Sequence, residues 1–196
     1  MGSRARISAQ KMLENKDMTP FEKVKLWFEV AGSEGYEVPQ PSHPTFLPTT
    51  NISTSFKGHD RTLPSHLSLV SATHEPTKAN PHNCKTVFSF TVPKDLCNMS
   101  GNLHGGAVAL IFDICTSTAI SACSTEGFWD TGHVSRTLNC TYLRPAMEGQ
   151  KVFVESEVVH LGRRLGMVTG RIVDESGKVC YTCEHGKAAV GQSANL

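Results

Sequence analysis

The chain has 196 residues, enough for one well-buried domain with an appendage and short for two full domains. Nineteen Lys and Arg against eighteen Asp and Glu leave a net charge of +1, which excludes a surface-wide field for nucleic acid or an anionic membrane, so any anionic ligand must be held locally. Seven cysteines, an odd number scattered through regular-looking segments, argue against a disulfide framework and for reduced, intracellular thiols.

Residues 1–18 are polar and weakly periodic and read as a frayed helical lead. They hold no apolar signal core, so export is not expected, the expected location is the cytoplasm, and the sequons at Asn51, Asn98 and Asn139 are expected to stay unglycosylated. A helix is predicted over about 19–32. Thr19 is its N-cap, Pro20 its first residue and Glu22 the partner in a capping box, while Gly32 can end it. Phe21, Val24, Trp27, Phe28 and Ala31 form an apolar stripe, which fits a helix packed on the main domain better than a lid or a docking helix. Residues 38–65 carry prolines at 39, 41, 44, 48 and 64 among Ser, Thr and Asn, without helical or strand periodicity. That is an extended connector, and residues 1–65 together form an N-terminal extension.

The compact domain is predicted over 66–190, with a short tail at 191–196. Strands are expected at 67–72 and 84–92, with a turn at 77–83 between them. After them comes a long apolar helix at 105–124, then strands at 133–143, 152–160, 165–173 and 179–190. Pro145 with Glu148 and Gly149, then Gly162, then 174–177, supply the turn signals. Two strands, one helix without a charged face and four more strands make an α+β protein: a mostly antiparallel sheet wrapped around the helix. The helix approaches transmembrane length, but Asp113 at its centre, the Ser and Thr residues after it and the amphipathic strands that follow argue against a span. Cys180 and Cys183 form a lone C-x-x-C in a strand-like run, where such positions point to opposite faces, so they read as packing and no metal is expected.

The residues with chemical content cluster between 98 and 135. A glycine-containing turn runs directly into the apolar helix, and Asp113 is the lone carboxylate within it. Backbone N–H groups at a helix N-terminus are unpaired, so Gly105 can offer one to a substrate oxygen, and Gly106 permits close approach. Asn98 can add a side-chain amide. Asp113 reads as a buried general base or nucleophile with a strengthened electrostatic effect, or else as a structural acid in a hydrogen-bond network. His104 either assists a leaving group or holds the turn. In a regularly alternating strand His133, Ser135, Thr137, Asn139 and Thr141 share one face.

Asn98, the run Leu103, His104, Gly105, Gly106, then Asp113, Ser135 and the strand end from Asn139 to Pro145 together resemble the PaaI-type hotdog-fold acyl-CoA thioesterases. The resemblance covers roughly residues 66–190 and stops short of the first 65. It implies a hotdog fold, a curved, mostly antiparallel sheet wrapped around one long central helix, here with an N-terminal helical extension. It also implies hydrolysis of an acyl thioester, carried on CoA or an acyl-carrier protein, with no cofactor. In the family the residues matching Asn98 and Gly105 hold the thioester oxygen, and the one matching Ser135 orients the attacking water. Arg163 and Arg164 are then the first candidates for the CoA phosphates, with Arg144 and Lys151 behind them.

Asp113 lies nine positions after His104, about 13 Å of rise and half a turn of rotation along a helix. One chain does not bring both to one carbonyl, so the site is expected between two subunits, with the turn of one facing Asp113 and Ser135 of another. Family members are homodimers, often paired into tetramers. A hotdog hydratase or dehydratase, or a non-catalytic acyl-binding protein, are the alternatives. The C-terminal Ala194, Asn195 and Leu196 form at most a degenerate peroxisomal address, the alternative to the cytoplasm.

Overall fold

The computed structural model describes residues 17–31, 62–130 and 132–190. The expected helical lead, most of the connector and the C-terminal tail lie outside the described residues.

Helix α1 spans Pro20–Ala31 and opens with the predicted capping box. The Thr19 backbone N–H and hydroxyl both donate to Glu22 Oε2 at 2.8 Å, and the Glu22 N–H returns a 3.3 Å bond to Thr19 Oγ1. These bonds satisfy donors that a helix start leaves without partners. Val24 is fully buried, the Phe28 ring lies 4.9 Å from that of Phe88, and Lys23 Nζ donates to the Ser124 carbonyl at 3.0 Å. The helix therefore packs on the domain, as its apolar stripe requires. The connector differs from expectation where it is described, because Leu63–His66 closes into a short helical turn, α2, with Pro64 in its first turn and Leu63 buried. Proline is tolerated there because a first-turn N–H has no intrahelical acceptor.

The strands β1 (Leu67–His74) and β2 (Cys84–Thr91) precede the long helix α3 (Gly105–Cys123). The strands β3 (His133–Tyr142), β4 (Lys151–Leu161), β5 (Leu165–Asp174) and β6 (Val179–Ala189) follow it. They form one six-stranded sheet in the order β1-β2-β4-β5-β6-β3, antiparallel throughout. Among the described residues β1 and β3 are the two edge strands of this sheet. Helix α3 has the length and composition of a membrane span, yet most of it is buried inside the fold. Between Ile111 and Cys123 the one residue that is not buried is Asp113.

The core lies between α3 and the sheet, where Phe88, Phe90, Phe112, Ile111 and Ile172 are all but fully buried. Burying one such side chain contributes roughly 1.5–3 kcal/mol. Helix and sheet pack tightly at Gly170 of β5, where an added Cβ would sit 2.8 Å from Cys183 Sγ and 2.9 Å from the Phe112 ring.

The regular alternation expected of β3 is broken. Its register against β6 shifts between Ser135 and Thr137, where Ser135 faces Lys187 and Thr137 faces Gly186. A bulge inserts one extra residue and reverses the phase of everything beyond it. Ser135 thus reaches α3, whereas Leu138 and Cys140 are the core-packed residues further along. With Leu138 and Cys140 continuing the inward face beyond the bulge, Thr137, Asn139 and Thr141 do not share the face of His133 and Ser135.

Candidate active site

The turn before α3 is tied at both ends. The Leu103 N–H donates to the Ala146 carbonyl and the His104 N–H to the Leu96 carbonyl, each at 2.8 Å, and Leu103 is buried. Within it, Asn98 Oδ1 accepts from the Ser100 N–H at 2.9 Å and the Asn102 N–H at 3.2 Å, while Gly101 takes the left-handed φ of 73° that closes the loop. The Asn98 oxygen thus holds the turn, and its Nδ2 is the group left to donate to a ligand.

His104 is the N-cap of α3, and its Nδ1 accepts from the Gly106 N–H at 3.0 Å. An accepting Nδ1 carries no proton, so the neutral ring carries it on Nε2, as a donor on the opposite side of the imidazole. The cap also explains Gly106, where an added Cβ would lie 3.2 Å from His104 Nδ1. With the Gly106 N–H taken by the cap, the Gly105 N–H is left as an outward donor of the first turn. The Tyr142 hydroxyl donates to the Gly105 carbonyl at 3.0 Å and steadies that peptide from β3.

Two turns along α3, Ser135 Oγ donates to Asp113 Oδ1 at 2.6 Å. His185 Nε2 lies 3.4 Å and Lys187 Nζ 4.0 Å from the same oxygen. Lys187 Nζ donates to Ser117 Oγ at 2.8 Å and to Ser135 Oγ at 3.0 Å, and His185 Nδ1 lies 2.6 Å from Thr116 Oγ1. The sequence suggested a buried carboxylate; instead the Asp113 side chain is 42% exposed, with Lys187 at 3% and His185 at 0% on its inner side. One face of the carboxylate is held by the protein and the other is open to a ligand.

Burial, and then the charge of Lys187, push His185 down to about 4, with Asp113 opposing. His133 goes down to about 3, again through burial first and then Lys187 and His185. Both rings are therefore neutral at neutral pH. Burial also lowers Lys187, and the Asp113 carboxylate opposes that shift. The cluster presents a solvent-facing carboxylate whose inner oxygen is held by a hydroxyl and backed by the Lys187 ammonium.

A single chain keeps this cluster away from the turn. The β3–β6 ladder runs from His133 against Ala189 to Tyr142 against Tyr181, with Ser135 near one end and Tyr142, the contact of Gly105, at the other. That separation is roughly 20 Å along the strand. Arg163 and Arg164 are exposed in the β4–β5 turn at the Ser135 end, where the Arg164 carbonyl accepts from the Ala189 N–H at 2.9 Å. Arg144 Nη1 is engaged with the Val179 carbonyl at 2.7 Å, and Lys151 Nζ sits 5.5 Å over the Phe153 ring.

Sequence reading passed over His185 and Lys187. The signal was present in the alternation of β6, where Tyr181, Cys183, His185 and Lys187 are all buried. A lysine continuing an inward-facing series needs a partner.

A family model of the thioesterase superfamily matches residues 100–181. The match spans less than half of the chain and marks a likeness to the thioesterase superfamily. The chain's six-stranded sheet around α3 is the hotdog fold that the sequence implied. The proofreading thioesterase EntH of Klebsiella pneumoniae is 37% identical over 91 residues, which is 46% of this chain and 64% of that relative. The mouse acyl-coenzyme A thioesterase 13 is 28% identical over 131 residues, 66% of this chain and 84% of the relative. The crystal structure of zebrafish thioesterase superfamily member 2 superposes with a TM-score of 0.56 at 28% identity, covering 68% of this chain and 87% of that one. The thioesterase-superfamily match contains His104, Gly105, Gly106, Asp113 and Ser135, whereas Asn98, His185 and Lys187 lie outside it.

Proposed function

We propose that the chain hydrolyses an acyl thioester, acyl-CoA or acyl-carrier, at a site shared by two copies of itself. The observation that carries this reading is the Ser135–Asp113 pair, a 2.6 Å contact that holds one carboxylate at the single opening in an otherwise buried stretch of helix. Asp113 takes a proton from water, and the resulting hydroxide adds to the thioester carbon. The carbonyl oxygen becomes an oxyanion, held by the Gly105 N–H and Asn98 Nδ2 of the partner copy; His104 Nε2–H adds a donor at the same helix start. The C–S bond then breaks, leaving a free acid and a thiol. The names of the Klebsiella and mouse relatives, both thioesterases, support the reaction class.

The β3 edge is the pairing surface we favour for a homodimer, because Val134, Tyr142 and Leu143 along it are 51%, 53% and 54% exposed. Two such dimers would make a tetramer. Arg163 and Arg164 lie at the Asp113 end and suit the phosphates of CoA by charge and exposure. The His185–Asp113 contact does not favour a hydratase, since a ring with no exposed surface cannot touch substrate. The test is thiol release from a panel of acyl-CoA and acyl-carrier thioesters. Wild type is expected to release thiol and Asp113→Asn to lose at least roughly a hundredfold in kcat; silence of the wild type on the whole panel would overturn the proposal.

A further inference from the structure

We propose that Lys187 is a positioning residue for water activation: by donating to Ser135 Oγ, it directs the Ser135 proton onto Asp113. The inference rests on the hydrolase reading above and deepens it.

A lysine is almost never buried without a strong local reason. Lys187 has a side chain 3% exposed, and its ammonium donates to Ser117 Oγ at 2.8 Å and Ser135 Oγ at 3.0 Å, with Asp113 Oδ1 at 4.0 Å. An ammonium only donates, whereas a hydroxyl has one proton to give. Ser135 therefore accepts from Lys187 and gives its own proton in the 2.6 Å bond to Asp113. The remaining lone pair of Ser135 and the outer oxygen of Asp113 are then acceptors for one water. Without the lysine, the serine hydroxyl is free to turn its proton toward that water, and the pair loses its fixed direction.

The backbone supports the same assignment. The β3 bulge falls between Ser135 and Thr137, opposite Lys187 and Gly186. An added Cβ at Gly186 would lie 2.6 Å from Thr137 Oγ1, so the glycine beside the lysine makes room for the distorted strand. The distortion that turns Ser135 toward α3 thus sits at the register of the residue that binds it. The groups facing the ammonium are Asp113 and Ser117 from α3, Ser135 from β3, and the neutral His133 and His185. Asp113 is the one carboxylate among them. Its charge raises the lysine against the lowering by burial, which favours a donating ammonium over a neutral amine.

The experiment is steady-state thiol release by the full chain as wild type, Asp113→Asn, Lys187→Met, Lys187→Gln, Ser135→Ala and the Ser135→Ala/Lys187→Met double variant, each with a melting curve. Lys187→Met is expected to lower kcat by about three- to tenfold, no more than Ser135→Ala does, and to move KM by less than about threefold. Its melting temperature should hold or rise, because an apolar side chain there needs no desolvation of charge. Lys187→Gln, which keeps an N–H donor, should recover part of the loss and stands in if the methionine variant misfolds. The double variant should be no slower than Ser135→Ala alone, since the lysine acts through the serine. Full kcat in both lysine variants beside a dead Asp113→Asn, or losses that multiply in the double variant, would overturn the lysine assignment and leave the hydrolase reading intact. A silent wild type would overturn the hydrolase reading itself. The contact is then read apart from turnover by nitrogen NMR of the Lys187 ammonium. Asp113→Asn should lower its titration midpoint, and an unmoved midpoint would count against the pair.

Discussion

Ser135→Ala removes one oxygen and, with it, both the 2.6 Å bond to Asp113 and the acceptor of a 3.0 Å bond from Lys187. Hydrogen bonds to charged groups are worth about 1.5–3 kcal/mol, and Ser135 is exposed in the single chain, which argues for the lower end. If that energy is present only while water is held for attack, the loss is about 1.5 kcal/mol of barrier, or roughly tenfold in kcat. Lys187 keeps Ser117 as a partner, so the fold should tolerate the change and the melting temperature should stay within about 2 °C of wild type. The assay is initial-rate thiol release on the best substrate in the panel, with kcat and KM separated. A kcat within a factor of about two of wild type, in a protein of unchanged oligomeric state, would refute the reasoning that Ser135 and Asp113 act as a unit.

Two further predictions follow from the same geometry. His104→Ala deletes the acceptor for the Gly106 N–H and should cost about 1 kcal/mol, seen as a melting temperature lower by about 2–4 °C; His104→Asn, a strong N-cap, should recover the melting temperature but not kcat. Stability should also fall in mild acid. His185 ordinarily titrates near 6.5 and is pushed down to about 4 in the fold, so between those values the unfolded chain binds a proton that the folded chain refuses. Stability from this residue is fully present above pH 6.5 and lost as pH drops toward 4, by about 3 kcal/mol at roughly 1.4 kcal/mol for each pH unit. Denaturant unfolding at pH 7 and pH 4.5 measures it; His133, pushed down to about 3, adds its own loss over the same window, so His185→Gln should reduce the dependence without abolishing it, and a slope left unchanged by that substitution would contradict the assignment.

The fold was legible because its signals were local and mutually consistent. The Thr19–Glu22 capping box, the alternating strands bounded by Gly162 or by 174–177, and one helix with no charged face each indicated the same arrangement. The turn at Asn98 and the helix start at His104 were visible for the same reason, since caps and tight turns demand particular residues at particular spacings. The face of β3 was misread because a bulge leaves no mark in a run of polar residues. The residues that face it across the ladder, Gly186 and Lys187, lie more than forty residues away in the chain. The inner half of the Asp113 cluster was missed because its members meet only once β6 is placed beside α3. The helical turn at Leu63–His66 was hidden by a proline-rich composition that reads as extended chain, although proline suits a first turn.

The most direct measurement is subunit complementation by Asn98→Ala and Asp113→Asn chains, each inactive alone. If each site takes its turn from one copy and its carboxylate from the other, a mixed dimer carries one site with both defects and one with neither. Equal, fully exchanged mixing makes half of the dimers mixed and should restore about one quarter of wild-type thiol release per chain. No recovery, with exchange demonstrated by mass-labelled subunits, would contradict the shared site.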